Sequence, residues 1–132
     1  VGELAALAGV HWQSRGVDSG DGEINVIEVA KLIANAYNTM VFVTGRTDVV
    51  TNGQEVVEIA GGDQRITEVT ATGCLLSAIC AAALTTVQEP INALYHTAQN
   101  YKRVATMASQ QQQIGHFQYE LLNALQQLSK GE

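Results

Sequence analysis

The sequence is poor in basic residues, aromatic residues and cysteine, and it contains a single proline. Seven Lys and Arg stand against thirteen Asp and Glu, which gives a formal charge of −6. A nucleic-acid surface needs clustered Lys and Arg to neutralise phosphates, so this balance argues against such a partner. No uninterrupted apolar run reaches the roughly 20 residues that a membrane-spanning helix needs. We therefore expect neither nucleic acid nor a membrane among the partners.

The cysteines and histidines are equally sparse. Cys74 and Cys80 lie six residues apart on one predicted helix, where they would face different directions, so we expect no disulfide and a reducing compartment. Three scattered histidines without a paired-cysteine motif give no support to a structural zinc site. Residues 1–9 lack the basic flank and the length of a signal peptide. These features predict a cytoplasmic protein.

The composition that remains is that of a folded domain. Hydrophobic residues make up 46% of the 132 residues and charged residues only 15%, which leaves enough apolar surface to offset chain entropy. The length suits one compact domain. Abundant alanine suits close-packed helices, and twelve glycines suit tight turns and close approach of the backbone to a ligand.

The N-terminal half predicts a helix, a loop, a second helix and three strands. Residues 2–9 predict a short helix with Leu4, Leu7 and Ala8 on one face and Gly9 at its end. The chain thus opens inside an element, and we expect it to be a piece of something longer. Residues 10–22 have the composition of a loop. Asn25 and Glu28 resemble a capping box before a helix that carries an apolar stripe.

Strands are predicted over residues 40–44, 49–51 and 55–59. The first is a continuous apolar run, typical of a strand buried on both faces. The other two flank Asn52 and Gly53, the sequence signal of a two-residue type I′ hairpin turn. Residues 66–69 favour another short strand.

The C-terminal half predicts three helices. Residues 75–87 are apolar almost all round, which indicates a fully buried helix. Pro90 marks the start of a second helix with an apolar stripe, and Phe117 begins the stripe of a third. The expected fold is α/β, with a buried strand, a β-hairpin and three C-terminal helices packed on the sheet.

Residues 68–78 carry the chemistry, because a turn of small residues leads directly into an apolar helix. The first N–H groups of a helix have no internal partners and lie at the positive end of its dipole. Gly73 admits close approach, so this turn can bind a phosphate or transferring phosphoryl oxygens. The same position can lower the pKa of the Cys74 thiol. The alternative is that Thr70 or Thr72 merely caps the helix and Cys74 is a small buried hydrophobic residue.

This segment resembles the VTGTGC-x-L-S-A signature of the hydroxyethylthiazole kinase family, within the ribokinase-like superfamily. Further matches follow the family's order and extend over almost the whole chain, although they cover only the C-terminal half of the family's fold. Residues 2–9 resemble the segment after Arg-Gly-Asn, and residues 16–19 resemble the GVDS motif. Residues 43–48 resemble the VTG-x-x-D motif, and residues 115–117 resemble the end of the GPGSF motif.

The resemblance implies a role for each matched residue. The family transfers the γ-phosphoryl group of ATP to the alcohol of 4-methyl-5-(2-hydroxyethyl)thiazole with Mg²⁺. It implies that Glu3 organises Mg²⁺, that Thr44 and Gly45 contact ATP phosphate, and that Cys74 stands where related kinases place an aspartate base. The remaining implied residues are Thr72 and Gly73 for the anion hole and Ala71 for the substrate. Without the family, Glu3 would be read as a solvated first-turn residue and Thr44 as a strand end.

Ala71 departs from the family pattern, which has glycine at this position, and Gln113-Ile114-Gly115 replaces GPG. The family's ATP-contacting Arg and the Asn of its Asn-x-x-Glu motif would fall before Val1.

We therefore expect residues 1–132 to be the C-terminal, nucleotide-binding half of a kinase, inactive alone, which belongs to a homotrimer with shared active sites. The missing N-terminal half is then a partner. The alternatives are a kinase for another small alcohol and a non-catalytic homologue that binds nucleotide or a partner chain.

Overall fold

A computed structural model describes residues 1–9, 25–86, 89–110 and 113–130. The chain divides into two compact units, Val1–Glu58 and Ile59–Glu132. The elements in chain order are α1 (Gly2–Leu7), α2 (Val26–Tyr37), β1 (Val41–Val43), β2 (Asp48–Thr51), β3 (Val56–Ile59), a 3-10 helix (Gln64–Glu68), α3 (Thr72–Ala83), α4 (Pro90–Ala108) and α5 (Ile114–Ser129). This is the predicted α/β class. In the part of the chain so described, no helix is both long and apolar enough to cross a membrane.

Local sequence signals set the helix ends of the first unit. The Asn25 side chain accepts a hydrogen bond from the Glu28 amide at 3.3 Å and so caps α2, as predicted. Gly9, with φ +65°, follows the end of α1 in the left-handed conformation that glycine adopts readily. On the apolar face predicted for α1, Leu4 is buried, whereas Leu7 is 60% exposed. A six-residue helix buries only a narrow face.

The first unit holds a three-stranded sheet in the order β1-β2-β3. β1 pairs with β2 in antiparallel register, with Val41 opposite Thr51 and Val43 opposite Val49. Of the β1 residues, Val43 is buried and the other two are half-buried. The prediction of a strand buried on both faces is therefore only partly met, because β1 lies at an edge of this sheet. Helix α2 packs against β1 and β2.

The turn between β2 and β3 is longer than predicted. It spans residues 52–55, and Asn52 is absent from the residues with positive φ, whereas a type I′ turn needs positive φ at both central positions. The Asn52 side chain instead accepts hydrogen bonds from the amides of Gln54 and Glu55, at 2.9 and 2.8 Å. This Asx-type bonding closes a four-residue loop. Gly53, with φ +94°, lies so close to α2 that a Cβ there would overlap the Asn35 amide group.

In the second unit, helices α4 and α5 bury the faces that their apolar periodicity predicts, and α3 does not. Pro90 begins α4, and the buried stripe of α4 includes Leu94, Ala98 and Tyr101. Phe117 and Leu121 bury the inner face of α5. Together with Val104, Ala108 and Ala124, these two residues form the core cluster between the two helices.

Helix α3 is the exception, because it is not buried on all sides. Leu76 is its one buried residue in the described structure, while Cys74, Ala78 and Ala81 are exposed. Helix α3 packs against α4, and this contact covers a single face. An apolar composition shows that a helix can be buried on all sides. It does not show how many other elements of the fold pack against that helix.

The strand predicted over residues 66–69 is also wrong, since residues 64–68 form a 3-10 helix. The Asp63 carboxylate accepts the backbone N–H of Arg65 at 2.9 Å and pairs with its guanidinium at 3.0 Å. The guanidinium also donates to the Ser109 carbonyl oxygen at the end of α4, at 2.6 Å, and lies 5.5 Å from the ring centre of Phe117. These side-chain contacts outweigh the β propensity of Ile66 and Val69.

The Asp63–Arg65 pair predicts a pH dependence of stability. Hydrogen bonds from the Arg65 side chain lower the pKa of Asp63 below its ordinary value of 3.8, although partial burial opposes this. Because the folded-state pKa is lowered, the stabilisation is complete above about pH 4 and is lost as pH falls through the folded-state value. Asp63→Asn should lower the free energy of unfolding by up to about 1 kcal/mol at neutral pH. In the acid limb, the part of the curve where this free energy falls as pH decreases, the variant should show a shallower slope than the wild type. Urea unfolding from about pH 6 to about pH 2.5 measures both effects.

Glu58→Gln provides the control, because it removes an exposed carboxylate of β3. It should leave the acid limb as in the wild type. An acid limb equally steep in Asp63→Asn and the wild type would contradict the assignment.

Candidate functional site

In the first unit, Thr44 and Gly45 follow the C-terminal end of β1. The Gly45 amide donates a hydrogen bond to the Asp48 carboxylate at 2.9 Å, and Asp48 is only 6% exposed. The buried carboxylate therefore fixes the peptide that joins Thr44 to Gly45. The Asp48 side chain reaches back three residues to Gly45, which accounts for the spacing of the VTG-x-x-D motif. From the sequence alone, Asp48 had no assigned role.

Glu3 and Thr44 line the same pocket, so the structure brings these two predicted residues together. The pocket measures about 560 Å³ and is otherwise formed mainly by apolar side chains of α1, α2 and β1. Glu3 is exposed in the first turn of α1. The described residues contain no cluster of three or more His, Cys, Asp or Glu side chains that could hold a metal by itself. A single exposed carboxylate nevertheless fits Mg²⁺, which is commonly held by one or two carboxylates together with water and substrate phosphates.

In the second unit, residues 71–74 form the turn at the start of α3. Ala71 is the N-cap residue and adopts the left-handed conformation, with φ 71° and ψ 3°. Its methyl group cannot accept a hydrogen bond, and the Leu75 amide donates the first helical bond to the Ala71 carbonyl oxygen at 2.9 Å. The N–H groups of residues 72–74 precede that bond and lie at the positive end of the helix.

The space beside Gly73 is open, because a Cβ built there would meet no heavy atom within 4 Å. Both Gly73 and Cys74 are exposed. The start of α3 is thus exposed at these two residues, and the N-terminus of a helix is a favourable place for an anionic oxygen.

The Thr72 side chain bonds the turn to residues that precede it in the chain and does not cap the helix. Its hydroxyl has one proton, which it shares between the carbonyl oxygens of Ile66 and Val69, at O···O distances of 2.9 and 3.1 Å. A capping hydroxyl would instead accept from an N–H group of the first turn. The Thr72 carbonyl oxygen accepts a hydrogen bond from the Tyr101 hydroxyl of α4 at 2.7 Å.

The two cysteines of α3 are free thiols in different surroundings. Cys74 is exposed in the first turn, whereas Cys80 is half-buried. Burial raises the pKa of the Cys80 thiol above its ordinary value. An exposed thiol beside the open turn can reach a hydroxyl group bound there, so Cys74 remains the candidate base.

The predicted residues thus fall into two groups, each within its own unit. Glu3, Thr44 and Gly45 belong to the first unit, and residues 71–74 belong to the second. Residues 16–19, which match the GVDS motif, lie outside the described residues. Sequence reasoning missed Tyr101, which it counted only as a member of an apolar stripe, and no local signal distinguishes it from the other stripe residues.

The chain matches the model of the hydroxyethylthiazole kinase family over residues 1–131. It is 51% identical over 130 residues to a hydroxyethylthiazole kinase of Lysinibacillus sphaericus, covering 98% of this chain and 51% of the relative. It is 39% identical over 131 residues to one of Haemophilus influenzae, covering 97% of this chain and 49% of the relative. The chain therefore spans about half the length of the curated relatives it matches.

A solved structure agrees with these relatives. The structure of a hydroxyethylthiazole kinase protein from Pyrococcus horikoshii superposes with a TM-score of 0.69 at 28% identity, over 74% of this chain and 38% of that one. The fold is accordingly ribokinase-like α/β, as the resemblance implied.

The strained conformation of Ala71 predicts that Ala71→Gly stabilises the protein. A left-handed conformation costs an L-residue about 1–2 kcal/mol, and glycine avoids this cost but gives up about 0.4–1 kcal/mol through its freer unfolded state. The expected net gain in unfolding free energy is about 0.5–1 kcal/mol, measured by urea unfolding. Ala78→Gly is the matched control, since Ala78 is exposed within α3. It should lose about 0.5–1 kcal/mol, and a loss in both variants would contradict the strain at Ala71.

Proposed function

The chain belongs to the hydroxyethylthiazole kinase family, and we propose that it is the C-terminal, nucleotide-binding half of such a kinase. The complete protein transfers the γ-phosphoryl group of ATP to the alcohol of 4-methyl-5-(2-hydroxyethyl)thiazole. The observation that carries the proposal is the open first turn of α3 at residues 71–74, at the position of the family's signature motif. The names of the relatives support the substrate.

The chemistry of this chain is mainly positioning and electrostatics. The N–H groups of Gly73 and Cys74 donate to the phosphoryl oxygens as negative charge shifts during transfer. Cys74 is the candidate base for the proton of the attacking alcohol. The Thr44 hydroxyl binds nucleotide phosphate, and Gly45 supports it through the bond of its N–H to the Asp48 carboxylate. Glu3 would hold Mg²⁺. When bound, Mg²⁺ neutralises charge on the phosphates.

The proposal includes partners. The first unit has an edge strand, β1, beside an apolar pocket of about 560 Å³, and we propose that the N-terminal half of the kinase covers both. A sheet edge with unpaired N–H and C=O groups accepts a further strand. The assembly would be a homotrimer with shared active sites, in the cytoplasm, and this chain alone would be inactive.

Two other functions have a specific observation behind them. Ala71 puts a methyl group at a position associated with the substrate in the family, which favours a kinase for another small alcohol. A substrate screen separates this function from the first. The second is a non-catalytic homologue that binds nucleotide at the exposed start of α3 or binds another chain. Titration of the chain with ATP and Mg²⁺, with a mass measurement of its assembly, tests that function.

The direct experiment is an assay of the complete protein that contains residues 1–132. ATP-dependent phosphorylation of the thiazole alcohol, followed by product mass, is the expected result. A folded protein that binds ATP but phosphorylates no alcohol would contradict the kinase and leave the non-catalytic homologue.

Replacement of Cys74 predicts a catalytic defect without a binding defect. In the complete protein, Cys74→Ala should lower kcat by about 100-fold, the lower end of the range for a lost general base. ATP affinity, measured by calorimetry, should change little, because the backbone N–H groups remain. Cys80→Ala is the control, since it removes the half-buried thiol of the same helix and should leave kcat unaltered. Unchanged turnover in Cys74→Ala would remove the base from the mechanism but not the anion-binding turn.

A further inference from the structure

Tyr101 occupies an unusual position for a residue of an apolar stripe. Its side chain is buried in α4, with only 6% exposure, yet its hydroxyl reaches the Thr72 carbonyl oxygen at 2.7 Å. Thr72 directly precedes Gly73, the residue of closest approach in the proposed anion-binding turn. A contact between α4 and this peptide therefore bears on where the first-turn N–H groups point.

The turn needs such contacts because its conformation is strained. Ala71 has φ 71°, which costs about 1–2 kcal/mol for a residue with a Cβ. Strained backbone persists only where its surroundings hold it in place. Two anchors meet at Thr72, its own hydroxyl bonded to Ile66 and Val69 and its carbonyl oxygen bonded to Tyr101.

The two anchors restrain different parts of the turn. The hydroxyl bonds fix the Thr72 side chain against the 3-10 helix and the residues after it. The carbonyl group of the peptide that links Thr72 to Gly73 belongs to the first turn of α3, and the Tyr101 bond adds a tertiary restraint to it. The N–H of that same peptide belongs to Gly73. A rotation of this peptide would move the Gly73 donor away from a bound phosphoryl oxygen.

We propose that Tyr101 is a positioning residue of the kinase, which orients the Gly73 N–H toward the transferring phosphoryl group through its hydrogen bond to Thr72. This inference rests on the proposed function. The bond is available at every physiological pH, because burial raises the pKa of Tyr101 to about 12 and keeps the hydroxyl protonated. Donors aimed at developing charge act mainly in the transition state. The effect should therefore fall on kcat rather than on ATP binding.

The test uses Tyr101→Phe in the complete protein, a change that keeps the buried ring and removes only the hydroxyl. We expect kcat to fall about tenfold while the KM values for ATP and the alcohol change less than about twofold. Tyr95→Phe is the matched control on the same helix, where the hydroxyl accepts from Gln99 at 3.3 Å and does not touch the turn. It should keep the wild-type kcat.

A second measurement separates positioning from a loss of folded protein. The complex of ADP and aluminium fluoride mimics the transferring phosphoryl group, and its affinity should weaken in Tyr101→Phe by about the same factor as kcat. ATP affinity should stay at the wild-type value. The folded fraction at the assay temperature, measured by circular dichroism, should match that of Tyr95→Phe.

Each outcome decides the question. An inactive wild type overturns the proposed kinase itself. With an active wild type, the positioning role is overturned by unchanged kcat in Tyr101→Phe, by a rise in KM alone, or by a kcat loss that equals the loss of folded protein. A kcat loss matched by weaker binding of the ADP–aluminium fluoride complex supports it.

Discussion

The hydrogen bonds of the Thr72 hydroxyl are the contacts on which the geometry of the candidate phosphoryl site depends. They tie the turn to the 3-10 helix through the Ile66 carbonyl oxygen. Arg65 in turn ties that helix to the end of α4 at Ser109 and to the ring of Phe117. Phe117 is fully buried in the core of the second unit. The backbone donors of the site are therefore held by a continuous series of contacts that reaches the core, and not by the local turn alone.

Much of the fold could be predicted because its signals are local. The Asn25 cap, the Gly9 stop and the Pro90 start each act within a few residues, and the structure confirms all three. Periodicity identified the buried faces of α4 and α5 for the same reason. The site residues were predicted through the family resemblance, and the structure adds that Glu3 and Thr44 share a pocket. Their roles in phosphoryl transfer stay predictions.

The features that escaped prediction depend on side chains acting outside the regular pattern. Residues 66–69 look like a strand, but the Asp63–Arg65 pair favours a 3-10 helix over residues 64–68. The burial of α3 depends on neighbours that its own composition does not specify. The Tyr101 contact spans 29 residues, so no short window of sequence contains both partners. In each case the deciding contact is tertiary or belongs to a single side chain.

The close approach of Gly53 to α2 has a consequence for sequence variation in this family. The Asn35 side chain donates to the Gly53 carbonyl oxygen at 3.2 Å and fills the space that a Cβ of residue 53 would need. The two positions lie 18 residues apart, yet each limits the size of the other. The positive φ of Gly53 opposes any side chain there as well, so a shorter residue at position 35 would not by itself make room for one, and relatives that keep this loop should keep the glycine.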